Sequence, residues 1–209
     1  MANLTVFVDG DHYISCLQLV DGHLRNRLKD QGNVRWIAIG LHDALYALLI
    51  EKLTRTDGFG IYNKRFEKEV GDFYKSGKDS NSVDFRNLLD ASTKQNLAGI
   101  AELLRRANLS SGVQIKAHES DIDNLNSPSQ GLSRLKQLRD YLIHPRPMIA
   151  GYYHDWLLNA LFDTLEVIRE VAALPGNTST RHDHKEAEIL LNSIAYYLAR
   201  WQCSLQHIG

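Results

Sequence analysis

Apolar residues recur at intervals of three and four along most of the chain, which is the spacing of an amphipathic helix. In the segment 11–29, for example, Tyr13, Leu17, Val20 and Leu24 fall on one helical face. The segment 34–54 is apolar on most sides, as is typical of a helix in the middle of a bundle. The same reasoning predicts further helices over residues 83–89, 93–107, 128–144, 152–173 and 185–205.

The periodicity is lost between residues 56 and 82, where four glycines and many charged residues occur. We predict a long loop there, with a short helix over 64–73. Its lysines and aromatic residues are candidates for contact with RNA. However, its basic and acidic residues nearly balance, which favours a solvent-exposed loop without a binding role. The prediction for the whole chain is an all-α protein, a single domain over residues 1–209 built as a bundle of five to six helices.

Composition narrows the class of protein. Of the 209 residues, 44% are hydrophobic and 23% charged, which is normal for a protein with a buried core. The formal net charge is −1, so no overall field draws in RNA or an acidic membrane, and nucleic-acid binding needs a local patch. The two cysteines, Cys16 and Cys203, exclude a disulfide scaffold. No leader pattern or membrane span is recognisable, so we expect a cytoplasmic protein with no membrane partner.

The residues best suited to chemistry lie at the end of the helix predicted over 128–144. Arg139 and His144 are five residues apart and project roughly 140° apart around the helix, so they can flank a groove. Asp140 lies four residues before His144, on the same face, where its carboxylate can accept a hydrogen bond from the imidazole and fix its tautomer. The planar guanidinium of Arg139 suits phosphate oxygens.

These residue types suffice for RNA cleavage without a metal ion or another cofactor. A base removes the proton from a ribose 2′-hydroxyl, and that oxygen attacks the adjacent phosphate. An acid protonates the leaving 5′-oxygen, and an arginine stabilises the extra negative charge. One histidine does not easily serve both ends of the reaction. A two-fold homodimer would bring two copies of the helix together and supply two histidines and two arginines across one groove.

The run Leu138-Arg139-Asp140-Tyr141-Leu142-Ile143-His144 resembles the R-x4-6-H motif of the HEPN superfamily (higher eukaryotes and prokaryotes nucleotide-binding). The segment Trp36-Ile37-Ala38-Ile39-Gly40-Leu41-His42-Asp43-Ala44-Leu45 resembles the second helix of a group of prokaryotic HEPN-like proteins. The resemblance extends loosely over residues 11–173. It implies a helical bundle that dimerises through the motif helix, with endoribonuclease activity in many members. The residue after the arginine is commonly Asn in the superfamily, whereas this chain has Asp140.

The resemblance also bears on the biological setting and on the alternatives. Many active members are toxins or act in abortive infection against phage, which makes a cognate inhibitor protein a candidate partner besides RNA. Other members are catalytically silent, so the alternative interpretation is a HEPN scaffold that binds a nucleotide or a partner protein. A third interpretation is a plain helical interaction protein, because an arginine or histidine near a helix C-terminus is common for structural reasons alone.

Four further residues are candidates for a supporting role at the site: Arg146, Tyr141, His42 and Asp43. His42 and Asp43 interrupt the most apolar predicted helix, and a buried polar pair needs partners. The pair is either a satisfied structural pair or a contact to the motif helix. Arg146, between two prolines, is either a further phosphate contact or a surface charge. The run Arg181-His182-Asp183-His184 has metal-ligand residue types but no distant third ligand, so no metal site is predicted.

Overall fold

The computed structural model of the chain describes residues 9–26, 32–54, 60–79, 82–92, 97–115, 128–143, 154–175 and 183–206. Within those ranges the protein is all-helical, apart from one isolated β-bridge between Tyr62 and Leu97. The helices in chain order are α1 (Asp9–Asn26), α2 (Asn33–Leu53), α3 (Lys64–Lys75), α4 (Val83–Ser92), α5 (Ile100–Ala107), α6 (Pro128–Ile143), α7 (His154–Ala172) and α8 (Asp183–Gln206). The all-α class is therefore confirmed.

The helix α2 lies at the centre of the packing. It contacts α1, α5, α6 and α7, while α8 packs on α1 and α7. Burial on most sides is what its nearly unbroken apolar sequence requires. The backbones of α1 and α2 approach closely at Gly40, where a Cβ atom would lie 2.8 Å from Cγ2 of Val20. No helix in the described part of the chain has both the length and the apolar character needed to cross a bilayer.

The segment between α2 and α5 contributes a small second hydrophobic cluster. Asn63 caps α3, because its side chain accepts a hydrogen bond from the backbone N–H of Phe66. Phe66 and Val70 of α3 pack there with Phe85 of α4. Helix α3 thus matches the short helix that the sequence predicted over 64–73 within a long loop, extends it to Lys75, and brings its few apolar residues onto one buried face.

The predicted number of five to six helices was wrong, since eight lie within the described residues. Each of the eight overlaps a segment that the sequence predicts to be helical, including the shortest, α3, α4 and α5, which have 12, 10 and 8 residues. The total was therefore too low although the individual segments were predicted. Helix α5 also begins later than the predicted residue 93. The N–H of Ala98 donates to the carbonyl of Ile61 (2.8 Å), so the chain is extended there, and Gly99 then caps the helix.

Candidate functional site

Where α6 meets α2, an arginine of one helix approaches an aspartate of the other. Nε of Arg139 lies 3.8 Å from Oδ1 of Asp43. Nη1 of Arg139 donates a hydrogen bond of 3.1 Å to Oδ1 of Asp140, its neighbour in sequence. Nε is buried and makes no hydrogen bond among the described residues, yet the side chain as a whole is 31% exposed. Two carboxylates therefore lie against the guanidinium, while part of the side chain faces solvent.

Asp140 is held in turn by Lys136, one helical turn earlier on α6. The Lys136 ammonium donates a hydrogen bond of 2.8 Å to Oδ2 of Asp140, and Oδ1 accepts the one from Arg139. Burial would raise the pKa of the Asp140 carboxyl, but the two cationic donors outweigh it and hold the pKa below its usual value. Asp140 is thus ionised at neutral pH and positions Arg139. Each of its oxygens keeps a second lone pair for the predicted bond from His144.

His42 and Asp43 form a hydrogen-bonded pair on α2. Nδ1 of His42 lies 3.0 Å from Oδ1 of Asp43, which is the same oxygen that approaches Arg139. The His42 side chain is largely shielded from solvent, whereas a third of the Asp43 side chain is exposed. The pair therefore reaches the motif helix through Asp43, and His42 lies behind that carboxylate.

Two side chains that the sequence analysis did not single out also lie at this cluster. Burial raises the pKa of the Tyr46 phenol, and the charge of Arg139 partly offsets this. The Tyr46 hydroxyl donates a hydrogen bond of 3.1 Å to the carbonyl of Ala98. Burial and the charge of Asp43 raise the pKa of the Cys16 thiol to about 11, so it is not a nucleophile at neutral pH. Tyr46 follows Asp43 at helical spacing, which is a usable signal, whereas Cys16 is on another helix and offers none.

The position of α6 depends on its close packing against α7. A Cβ atom on Gly131 would overlap the side chain of Asp163, whose own Cβ would lie 2.5 Å away. The guanidinium carbon of Arg134, a residue that is buried, lies 5.6 Å from the centre of the Trp156 ring on α7. Arg139 is about two helical turns beyond Gly131. The contact with α7 therefore sets where Arg139 meets α2.

The remaining candidate residues are only partly placed. Tyr141 is half-buried on α6. His144 and Arg146 lie outside the described residues; α6 ends at Ile143, directly before His144 in sequence. Of the predicted set, the structure thus brings together Arg139, Asp140, Asp43 and, behind them, His42.

The charges of this cluster decide what it can bind. Lys136 and Arg139 are cations and Asp43 and Asp140 are anions, so the four groups balance. An anionic ligand is attracted only through donors that the carboxylates leave free. A guanidinium has five N–H donors, and the described residues engage one of those of Arg139 in a hydrogen bond. Its planar fork therefore keeps the capacity to bind a phosphate or a carboxylate. No group of three or more metal-ligating side chains comes together within the described ranges.

Comparisons with protein-family models, with curated proteins and with solved structures gave no significant match to this chain. The resemblance to the HEPN superfamily therefore stays a prediction from the sequence. The cluster around Arg139 is the feature of the structure that bears on function.

Proposed function

We propose that the protein is a metal-independent endoribonuclease of the HEPN type, in which Arg139 binds the scissile phosphate and His144 transfers protons. The observation that supports this is the set of contacts that Arg139 makes, together with the exposure of its side chain. Its guanidinium is oriented by Asp43 and Asp140, its side chain is 31% exposed, and the described residues engage one of its five N–H donors in a hydrogen bond. It lies near the end of α6, so the imidazole of His144 follows in the sequence within a few residues.

In the proposed reaction a neutral imidazole removes the proton from a ribose 2′-hydroxyl. The 2′-oxygen forms a bond to phosphorus as the bond to the 5′-oxygen breaks, and the leaving 5′-oxygen takes up a proton. The products are a 2′,3′-cyclic phosphate and a 5′-hydroxyl end. Arg139 stabilises the charge that develops on the phosphoryl oxygens, and Asp43 and Asp140 hold it in place. The reaction balances without a metal-bound water or another cofactor.

The proposal includes a two-fold homodimer. The base acts on the attacking oxygen and the acid on the leaving oxygen, and these lie on opposite sides of the phosphorus. Two copies of His144, one from each subunit, would serve the two sides. A role as a toxin or in phage defence, with a cognate inhibitor protein, belongs to the same proposal. It would be supported by toxicity on expression that His144→Ala relieves.

The test is RNA cleavage by the purified wild type beside Arg139→Ala and His144→Ala. We expect each substitution to lower the rate by about 100-fold or more, and the wild-type rate to persist in EDTA. Arg105→Ala is the matched control, because Arg105 also pairs with a carboxylate of its own helix, Glu102 at 2.6 Å, but lies on α5. Cleavage that is unchanged in the double variant of Arg139 and His144 would reject this site.

The second candidate is a catalytically silent HEPN scaffold that binds a nucleotide or a partner protein. The charge balance favours it, since an arginine between two carboxylates can serve the structure alone. Wild-type protein that leaves RNA intact, yet forms a dimer that Arg139→Ala weakens, would select this candidate.

A further inference from the structure

Trp36 is the exposed member of the three tryptophans. Its side chain is 45% exposed, whereas Trp201 is buried and Trp156 is half-buried. Tryptophan is enriched at binding interfaces, because its large apolar ring carries a polar N–H group. Trp36 is on the first turn of α2, where its ring lies against His23 of α1.

Two cationic or ionisable side chains flank the indole. The guanidinium carbon of Arg35 lies 5.3 Å from the centre of the Trp36 ring. The His23 ring of α1 lies nearly parallel to it, with a centroid distance of 6.4 Å and an angle of 21°. His23 is held in that orientation because its Nδ1 lies 2.7 Å from Oδ1 of Asn33. The arrangement is an exposed indole with the Arg35 guanidinium over its ring and the His23 ring stacked with it, and we call Trp36, Arg35 and His23 the indole platform.

The indole platform lies on the same side of α2 as the cluster around Arg139. Trp36, Gly40 and Asp43 are spaced at i, i+4 and i+7, which puts them on one helical face. Asp43 is about 10 Å along the helix from Trp36, and it is the residue that approaches Arg139. Leu19 of α1 is 43% exposed and packs over Gly40 between the two. Trp36, Leu19 and Asp43, each at least partly exposed, therefore lie along one side of α2, and Asp43 approaches Arg139.

We infer that the indole platform stacks an unpaired base of an RNA strand whose phosphate is bound at Arg139. The inference rests on the proposed function and adds the substrate class, namely single-stranded RNA. Stacking on an aromatic ring accepts any base, because every base has a π face. The flanking Arg35 and His23 favour a polyanionic strand over an apolar protein surface. Burying either side chain against apolar residues would remove its water of hydration without a compensating hydrogen bond. A base in a duplex is stacked on its neighbours and is not offered to the indole.

The probe is a single-stranded 2′-O-methyl oligonucleotide of about ten residues, which cannot be cleaved because its 2′-oxygen carries no proton. Binding is followed by the intrinsic fluorescence of the protein and by the anisotropy of a labelled probe. We expect the wild-type fluorescence to be quenched, and the quenching to be lost in Trp36→Phe. By anisotropy, Trp36→Phe should keep the affinity within a few fold, and Trp36→Leu should weaken it about tenfold or more.

Tyr196→Leu is the matched control, because Tyr196 is also an exposed aromatic residue beside an arginine, with Arg200 at 5.8 Å, but on α8. It should leave the affinity unchanged. Equal affinity for the same probe in a duplex, or an unchanged affinity in Trp36→Leu, would overturn the inference. So would a Trp36 signal that depends on protein concentration and not on the probe, which would mean that a second copy covers the platform.

The same measurements separate this inference from the proposed function. If the protein cleaves RNA through Arg139 but Trp36→Leu binds the probe normally, only the base-stacking site is rejected. If no cleavage occurs but the quenching and the loss in Trp36→Leu are found, the base-stacking site is supported and the nuclease proposal fails.

Discussion

Two arginines in this molecule each lie between two carboxylates, Arg106 on α5 and Arg139 on α6. Arg106 is 14% exposed. Its Nη1 donates to Oε1 of Glu67 (2.6 Å) and to the carbonyl of Gly60 (2.9 Å), and its Nε donates to Oε1 of Glu102 (3.1 Å). These bonds join α5, α3 and the chain segment before α3. Arg106 is therefore a structural clamp, because its N–H donors are engaged in hydrogen bonds that stabilise the fold.

Arg139 has the same charge and the same number of carboxylate neighbours, but a different balance of contacts. Among the described residues it makes one hydrogen bond of 3.1 Å to Asp140 and a longer ion pair of 3.8 Å to Asp43, and its side chain is about twice as exposed as that of Arg106. The difference shows that nearness to carboxylates does not by itself assign a role. The number of donors already engaged, and the fraction of the side chain that reaches solvent, separate a structural arginine from one that can still bind a ligand.

The largest effect that tests this comparison is on stability. Arg106→Met removes the cation that lies between Glu67 and Glu102, although Glu102 keeps its hydrogen bonds from Arg105, so we expect it to lower the free energy of unfolding by about 2 kcal/mol. Arg139→Met should lower it by about 1 kcal/mol or less, because its pairs are longer and more exposed. Urea denaturation of both variants measures this. Equal losses would mean that Arg139 is as much a part of the fold as Arg106.

A smaller effect is expected from the position of α6. Gly131→Ala places a Cβ against Asp163 and forces α6 away from α7, at a cost of about 1–2 kcal/mol. Because α6 carries Arg139, RNA cleavage should fall as well. Gly22→Ala on α1 is the control, since a Cβ there meets nothing within 4 Å, and it should stabilise the protein by roughly 0.5–1 kcal/mol. If Gly131→Ala were as well tolerated as Gly22→Ala, the packing of α6 would not be what positions the site.

Much of this architecture could be predicted from local pattern. Helices α1, α2, α7 and α8 begin and end within three residues of the predicted bounds, because each buries a long apolar stripe. The pattern was least precise where little apolar surface is buried. Helix α3, which buries only Phe66 and Val70 among many charges, matches the short helix predicted over 64–73 but extends two residues further into the predicted loop. The start of α5 depends on a backbone bond from Ala98 to Ile61, a contact between distant residues that periodicity does not contain.

The candidate site divides in the same way. Arg139 and Asp140 could be recognised because they are adjacent to each other and close to His144 in the sequence. Asp43 could be recognised because it is a charged residue within an apolar helix. That Asp43 meets Arg139 is a consequence of how α2 and α6 pack, since the two residues are 96 positions apart in the chain. Cys16 and Trp36 are residue types that usually lie in a core. Only the packed structure shows that Cys16 is close to Asp43 and that Trp36 is exposed.

The smallest expected effect is on the pH dependence of the Arg106 clamp. Hydrogen bonds from Arg105 and Arg106 lower the pKa of Glu102 from 4.5 to about 2, against the opposing effect of burial. A carboxyl whose pKa is lowered on folding stabilises the protein above its unfolded pKa, and that stability is lost as the pH falls from 4.5 to about 2. The difference in unfolding free energy between wild type and Glu102→Gln should therefore be constant near neutral pH and shrink over this range. Glu166→Gln removes a more exposed carboxylate, paired with Arg169 on α7, and should show little difference at any pH. A gap between wild type and Glu102→Gln that stayed constant down to pH 2 would mean that the ionised form of Glu102 contributes nothing to the clamp.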